Sequence, residues 1–172
     1  MRNFIIKSIT FILLITGASA SYSFDEATLD RLRKVYPRAY EDAESCKTEL
    51  ATLDKRENKG VLLAYQAAFN MVYARHLSSP LSKLNIFKKG KNLMDKAIAQ
   101  NKNNTEIHFL RLTIQVHAPS ILNYRQDIQR DLDIILSNWK NITEENLKKN
   151  IREFLNDNTS LLTQEQQKLI AS

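Results

Sequence analysis

Apolar side chains recur along most of this chain at intervals of three and four residues, which places them on one face of an α-helix. Leu29, Leu32 and Val35 begin the pattern, and polar stretches of about four to eight residues separate its later parts. Eight segments carry it, and from them we predict six to seven helices. The segments are 25–35, 37–53, 60–77, 81–100, 105–116, 121–139, 144–155 and 163–170.

Two of these segments differ in how their apolar residues are distributed. Segment 60–77 is apolar around most of its circumference, which is typical of a helix buried between neighbours. Segment 81–100 has one apolar face and one basic face, and Gly90 falls within the apolar face. A glycine at such a position predicts a close approach of another helix rather than a turn.

Glycine and proline are scarce, with 3 of each among 172 residues. Average usage of the two together is roughly 12%. Folds that use glycine for tight turns or phosphate-binding loops are therefore excluded. Pro37, Pro80 and Pro119 are placed as helix starts or breaks. With 43% apolar residues, the chain is predicted to form an all-α protein.

Short connections favour antiparallel neighbours, so we expect stacked helical hairpins in a single domain over 21–172. One helix ends in Lys96-Ala97-Ile98-Ala99, an Asn-rich turn follows, and Glu106-Ile107 opens the next helix. This junction resembles the junction between tetratricopeptide-type repeats. The resemblance implies a tetratricopeptide-like stack, and an irregular helical bundle is the alternative.

A longer resemblance covers roughly residues 60–136. The segments that carry it are 62–65, 80–84, 87–91, 109–115 and 118–120. They are similar to exported helical proteins of Bacteroidota that have no assigned activity. The resemblance implies export and an all-helical fold, and it implies no mechanism.

The first twenty residues have the pattern of a secretory signal peptide. Arg2 precedes a short apolar run, and Ala18-x-Ala20 forms a small-residue cleavage site. We predict cleavage after residue 20, leaving a soluble periplasmic or secreted protein. Loss of Arg2 and Lys7 would lower the net charge from +6 to +4. Cys46 is the single cysteine, so an intramolecular disulfide is excluded, and we interpret it as a small apolar residue.

No standard catalytic, metal-binding or phosphate-binding motif occurs in the sequence. We therefore predict no metal and no cofactor. The best cluster of polar residues is a candidate binding site and comprises Arg75, His76, Arg111, Gln115, His117, Tyr124 and Asp127. It could hold an acidic partner or a peptide terminus through arginine. The alternative is a small enzyme in which Asp127 orients His117 as a general base beside Arg111.

A dense basic run lies on the predicted helix 81–100 and comprises Lys83, Lys88, Lys89, Lys91 and Lys96. Phe87 is the single aromatic residue within it, too few for successive bases to stack on, which argues against nucleic acid. It is either a solvated helix face or a surface for anionic lipid headgroups. The function we expect is that of an exported interaction or adaptor protein, which binds a protein or peptide in a groove between helices.

Overall fold

A computed structural model describes residues 25–171. Within this range the chain forms eight α-helices, four short 3₁₀ turns and no strands. The all-α prediction is confirmed, and the predicted count of six to seven helices is too low. The helices are α1 (25–35), α2 (Ala43–Leu53), α3 (Gly60–His76), α4 (Pro80–Gln100), α5 (Thr105–His117), α6 (Ile128–Ser137), α7 (Glu145–Asp157) and α8 (Gln164–Ala171). The predicted signal peptide, residues 1–20, lies outside the described residues.

The predicted helix over 37–53 is wrong at its start. Tyr36–Arg38 forms a 3₁₀ turn instead, and α2 begins at Ala43. Asp42 has extended backbone angles, and its carboxylate accepts a hydrogen bond from the backbone N–H of Ser45 at 2.9 Å. An aspartate in this position satisfies a free N–H of the first helical turn. The helix therefore starts after the capping residue Asp42 and not at Pro37.

The predicted helix over 121–139 also starts too early. Ser120–Leu122 forms a 3₁₀ turn, and Asn123 follows with a left-handed φ of 47°. Arg125 then donates to the carbonyl oxygens of Gln115 and Val116, at 3.2 and 2.9 Å. These bonds hold the loop 123–127 against the end of α5. Helix α6 therefore begins only at residue 128.

Helix α3 lies at the centre of the first half of the fold, because it packs against α2, α4 and α5. Helices α3 and α4 run antiparallel. The backbone N–H of Gly60, at the start of α3, donates to the side chain of Gln100, at the end of α4, at 2.9 Å. Gly90 of α4 lies directly against α3, as the sequence predicted. A β-carbon on Gly90 would lie 2.6 Å from Cγ of Met71 and 2.7 Å from the carbonyl oxygen of Ala67.

The buried apolar residues form two clusters, and α5 contributes to both. One face of α5 places Ile107, Leu110 and Ile114 in a cluster with α1 to α4. Phe109 and Leu112 join a second cluster with α6, α7 and α8. All ten residues from Glu106 to Gln115 are buried. Helix α5 therefore links the two halves of the core.

Helix α5 also carries charge into this core. Arg33 of α1 and Glu106 of α5 are both buried and form a two-bond ion pair, with both N···O distances at 2.8 Å. The Tyr65 hydroxyl of α3 donates to the same carboxylate at 2.8 Å. Burial opposes the charge on Arg33, but the hydrogen bond and charge of Glu106 outweigh it and raise the pKa of the guanidinium. One carboxylate thus fixes three helices relative to one another.

The last two helices close the second cluster. Ile170 of α8 is buried, and its carbonyl oxygen accepts a hydrogen bond from Arg152 of α7 at 2.9 Å. Asn146 and Asn150 of α7 bond to Asp30 and to the backbone of Arg33, each at 2.6 Å. These bonds return the end of the chain to α1. Between residues 25 and 171, no helix combines the length and the apolar character needed to cross a membrane.

The contact of Gly90 with α3 yields a prediction. Gly90→Ala should lower the free energy of unfolding by about 1–2 kcal/mol, because overpacking costs about 1–3 kcal/mol and the helix propensity of alanine returns up to about 1 kcal/mol. Urea unfolding followed by circular dichroism measures the change. Asn92→Ala, at an exposed position of the same helix, is the control and should not destabilise. Equal stability of the Gly90 variant and the wild type would contradict a close contact.

Candidate functional site

The predicted polar cluster divides into two separate sites. Arg111, Gln115 and Asp127 lie together in a buried network between α5 and α6. Arg75 and His117 instead line an apolar pocket at the other side of α5. The remaining two residues have structural contacts: Nε2 of His76 lies 2.8 Å from the carbonyl oxygen of Ala39, and Tyr124 packs against Phe87.

The buried network is centred on Asp131, which the sequence analysis did not select. Its two carboxylate oxygens lie 2.8 and 2.5 Å from Nε and Nη2 of Arg111. The side-chain amide of Gln115 donates to the same carboxylate at 2.5 Å. Arg111 also reaches Asp127, at 3.2 Å. Burial opposes the charge on Arg111, but the hydrogen bond and charge of Asp131 outweigh it and raise the pKa of the guanidinium.

His108 completes this network. Its Nδ1 lies 2.6 Å from Asp131, and its Nε2 lies 2.8 Å from the carbonyl oxygen of Lys102. A carboxylate and a carbonyl are both acceptors, so each ring nitrogen of His108 faces an acceptor within the protein. Together with Arg111 and Gln115, His108 surrounds both carboxylate oxygens of Asp131. The network is therefore complete in itself, with no carboxylate oxygen of Asp131 left for a substrate.

A sequence signal for Asp131 does exist. Ile128, Leu132 and Ile135 define the apolar face of α6, and Asp131 occupies the i+3 position of that face. An acid among core-facing residues requires a buried partner. Asp127, which the sequence analysis chose, is only half-buried and lies one turn nearer the start of the helix.

The enzyme alternative required Asp127 to orient His117, and the structure does not bring these residues together. The carbonyl oxygen of Thr113 lies 2.7 Å from Nδ1 of His117, so this nitrogen donates and Nε2 faces no described partner. The imidazole packs against the ring of Tyr40 at 4.8 Å between centroids. Residues 111 and 117 also lie on different faces of α5.

An apolar pocket of about 450 Å³ lies where the end of α3, the start of α4 and the end of α5 meet. The 3₁₀ turn Ser120–Leu122 closes one side of it. Its apolar lining includes Met71, Val72, Phe87, Ile114, Ala118 and Leu122. Its volume falls within the range of about 300–1,000 Å³ that is typical of ligand sites. We call this feature the α3–α5 pocket.

The large exposed aliphatic side chains of the described residues lie at this end of the molecule. Ile121 is 91% exposed and Leu84 is 36% exposed, and both line the α3–α5 pocket. Leu81, in the first turn of α4, is 68% exposed. Arg75 and Lys83 add two exposed cations to the lining. An apolar cavity with exposed aliphatic side chains and a few polar groups at its rim is typical of a binding site.

The predicted basic run along α4 is divided by its ion pairs. Lys89 pairs with Asp54 at 3.3 Å, and Lys91 pairs with Asp95 at 2.8 Å. Lys88 and Lys96 are exposed. Of the five lysines, Lys83 lies at the α3–α5 pocket.

The single cysteine is buried, and the described part of the chain has no cluster of metal ligands. Cys46 is buried, and its thiol lies 3.5 Å from the carbonyl oxygen of Phe69. Burial, with a smaller contribution from the charge of Asp42, raises the pKa of this thiol to about 12. Between residues 25 and 171, no group of three His, Cys, Asp or Glu side chains is arranged to hold a metal ion.

The Asp131 network yields a second prediction. Asp131→Asn should lower the free energy of unfolding by about 3–5 kcal/mol, because it leaves the buried Arg111 without its main counter-charge. Asp133→Asn, at an exposed position on the same helix, is the matched control and should change stability little. Urea unfolding of both variants measures the difference. Similar stabilities of the two variants would show that the network does not hold α6 against α5.

Cys46 yields a third prediction. An ordinary thiol has a pKa of about 8.5, so near pH 8 the folded protein should react with iodoacetamide at least about 10³-fold more slowly than the denatured protein. Burial acts in the same direction by blocking access. Mass spectrometry over time measures the modified fraction, with the denatured chain as the control. Rapid modification of the native protein would mean that α2 opens from α3 under native conditions.

Known proteins supply no function for either site. Comparisons with protein-family models, with curated proteins and with solved structures find no match to this chain. The function must therefore be inferred from geometry. Of the two sites, the Asp131 network is closed, while the α3–α5 pocket is open and the cations at its rim form no ion pair with the described part of the chain.

Proposed function

We propose that this protein is an exported binding module, and that the α3–α5 pocket receives an apolar group of a protein or peptide partner. The observation that carries the proposal is a cavity of about 450 Å³ that is open to solvent and rimmed by exposed aliphatic side chains. Exposed apolar groups beside a cavity are typical of interaction sites on proteins. We further propose a signal peptide over 1–20 and a soluble periplasmic or secreted location.

The arrangement of helices as stacked hairpins belongs to the same proposal. The antiparallel pair α3 and α4 supports it, as does the four-residue connection from α4 to α5. Tetratricopeptide-like stacks present grooves between helices that receive peptides. The α3–α5 pocket lies between the ends of such helices, where a partner can insert a side chain.

The two alternatives have less support. An enzyme built on His117, Arg111 and Asp127 would need Asp127 to contact His117. Nδ1 of His117 instead bonds to the carbonyl oxygen of Thr113. Peripheral contact of helix 81–100 with an anionic membrane relies on lysines along α4, and Lys89 and Lys91 are engaged by acids. Nucleic acid, metal and cofactor binding form no part of the proposal.

Site-specific photo-crosslinking in the cells of origin tests the proposal. A benzoylphenylalanine at Ile121, which is exposed at the pocket, should form a discrete adduct with a partner. The same group at Ala51, exposed on α2 and outside the pocket, should form no such adduct. The two positions should differ because the partner contacts the rim of the pocket and does not contact α2.

A pair of tryptophan variants makes this test specific. Leu84→Trp enlarges a partly exposed side chain that lines the pocket and should reduce the Ile121 adduct at least about fivefold. Leu81→Trp, one turn earlier and not part of the lining, should leave the adduct unchanged. Equal adducts in both variants, or equal adducts from Ile121 and Ala51, would contradict binding through the pocket.

A further inference from the structure

Within residues 25–171, the charged side chains around the α3–α5 pocket are all cations. Arg75, in the last turn of α3, and Lys83, in the first turn of α4, both line it and are both exposed. Among the described residues, neither forms an ion pair, whereas Lys89 and Lys91 of the same α4 do. The part of the lining that residues 25–171 provide contains no acidic side chain. This rim therefore attracts an anionic group.

The interior of the pocket sets a second requirement. Apart from Arg75, Lys83, His117 and the ring of Tyr40, the lining is aliphatic or aromatic. A buried peptide segment brings an N–H and a C=O from every residue, and each needs a partner. This lining has few partners to offer, so an extended internal segment would leave several of these groups unsatisfied. The occupant must concentrate its polar atoms at one end.

The last residue of a protein chain meets both requirements. Its side chain and its free carboxylate leave the same Cα, and a single amide N–H connects it to the preceding residue. Nε2 of His117, which is left open because Nδ1 donates to Thr113, is an acceptor for that N–H when the ring is neutral. The rest of the partner chain then leaves directly into solvent past Ile121.

We propose that the α3–α5 pocket binds the free C-terminus of a partner chain that ends in an aliphatic or aromatic residue. The terminal side chain occupies the apolar interior, and the carboxylate binds Arg75 and Lys83. Arginine and a carboxylate form charge-assisted hydrogen bonds, which are stronger than neutral ones. This inference rests on the proposed function and specifies the part of the partner that is bound.

Two peptide libraries displayed on phage test the inference against the purified protein. The first presents random octapeptides with free C-termini, and the second presents the same octapeptides followed by a fixed Gly-Ser tail. The first library should enrich peptides that end in Leu, Ile, Val, Met or Phe, and the second should not. Enrichment of the same motif in both libraries would overturn the inference, because the terminus would then be dispensable.

Synthetic peptides with the selected sequences test whether the C-terminal carboxylate binds Arg75 and Lys83. Amidation of the C-terminus should weaken binding about tenfold or more, measured by fluorescence anisotropy. Arg75→Gln and Lys83→Gln should each weaken the acid form about fivefold and leave the amide form unchanged. Lys96→Gln, an exposed lysine of α4 outside the pocket, is the matched control and should alter neither form. Equal affinity of acid and amide forms would overturn the inference.

Failure of this inference and failure of the proposed function have different signatures. If neither library enriches a motif but the Ile121 adduct still forms and is lost in Leu84→Trp, the pocket binds another group and the C-terminal assignment is wrong. If the adduct is also absent, the proposed function fails with it. A selected peptide whose affinity is the same for wild type and Leu84→Trp binds elsewhere and overturns the assignment as well.

Discussion

The fold depends on the pairing of charges that α5 carries into the core. Glu106 and Arg111 lie within one buried helix, where an unpaired charge would destabilise the protein by several kcal/mol. Each has a partner on another helix: Arg33 of α1 for Glu106, and Asp131 of α6 for Arg111. Because hydrogen bonds are directional, these pairs set the positions of α1 and α6 along α5. The apolar clusters on either side then pack around a helix that is already in register.

This pairing separates the charges of the protein into two populations. The buried charges of α5 are paired with charges of α1 and α6, and the four nitrogen atoms around Asp131 occupy both oxygens of its carboxylate. The cations at the α3–α5 pocket pair with no acid among residues 25–171, and they line an apolar cavity. Charge that stabilises the fold and charge that is available to a ligand therefore lie in different places. A polar cluster that looked continuous in the sequence contains members of both populations.

The sequence predicted most helices closely, because their apolar spacing and their caps are local properties. Ser79 and Asn104 cap α4 and α5 near the predicted starts, and Gly90 makes the predicted close contact. The two errors in helix starts, before Ala43 and before Ile128, arose where a side chain captures backbone groups. Asp42 does so locally, whereas Gln115 and Arg125 do so between α5 and the following loop. Bonds between a helix and a following loop cannot be predicted from the spacing of apolar residues along the chain.

By itself, the sequence determined the helical class, the scarcity of turns that require glycine, and the segments that are buried on most sides, since these follow from composition and spacing. Tertiary structure alone decided which polar residues are partners. His117 and Arg111 are six residues apart and lie on different faces of α5, so one joins an open pocket and the other a closed network. It also decided that Arg75 and Lys83, from two helices, line one cavity. The physical reason is that helix packing brings together faces whose residues are distant in sequence, and ligand sites form where those faces leave a gap.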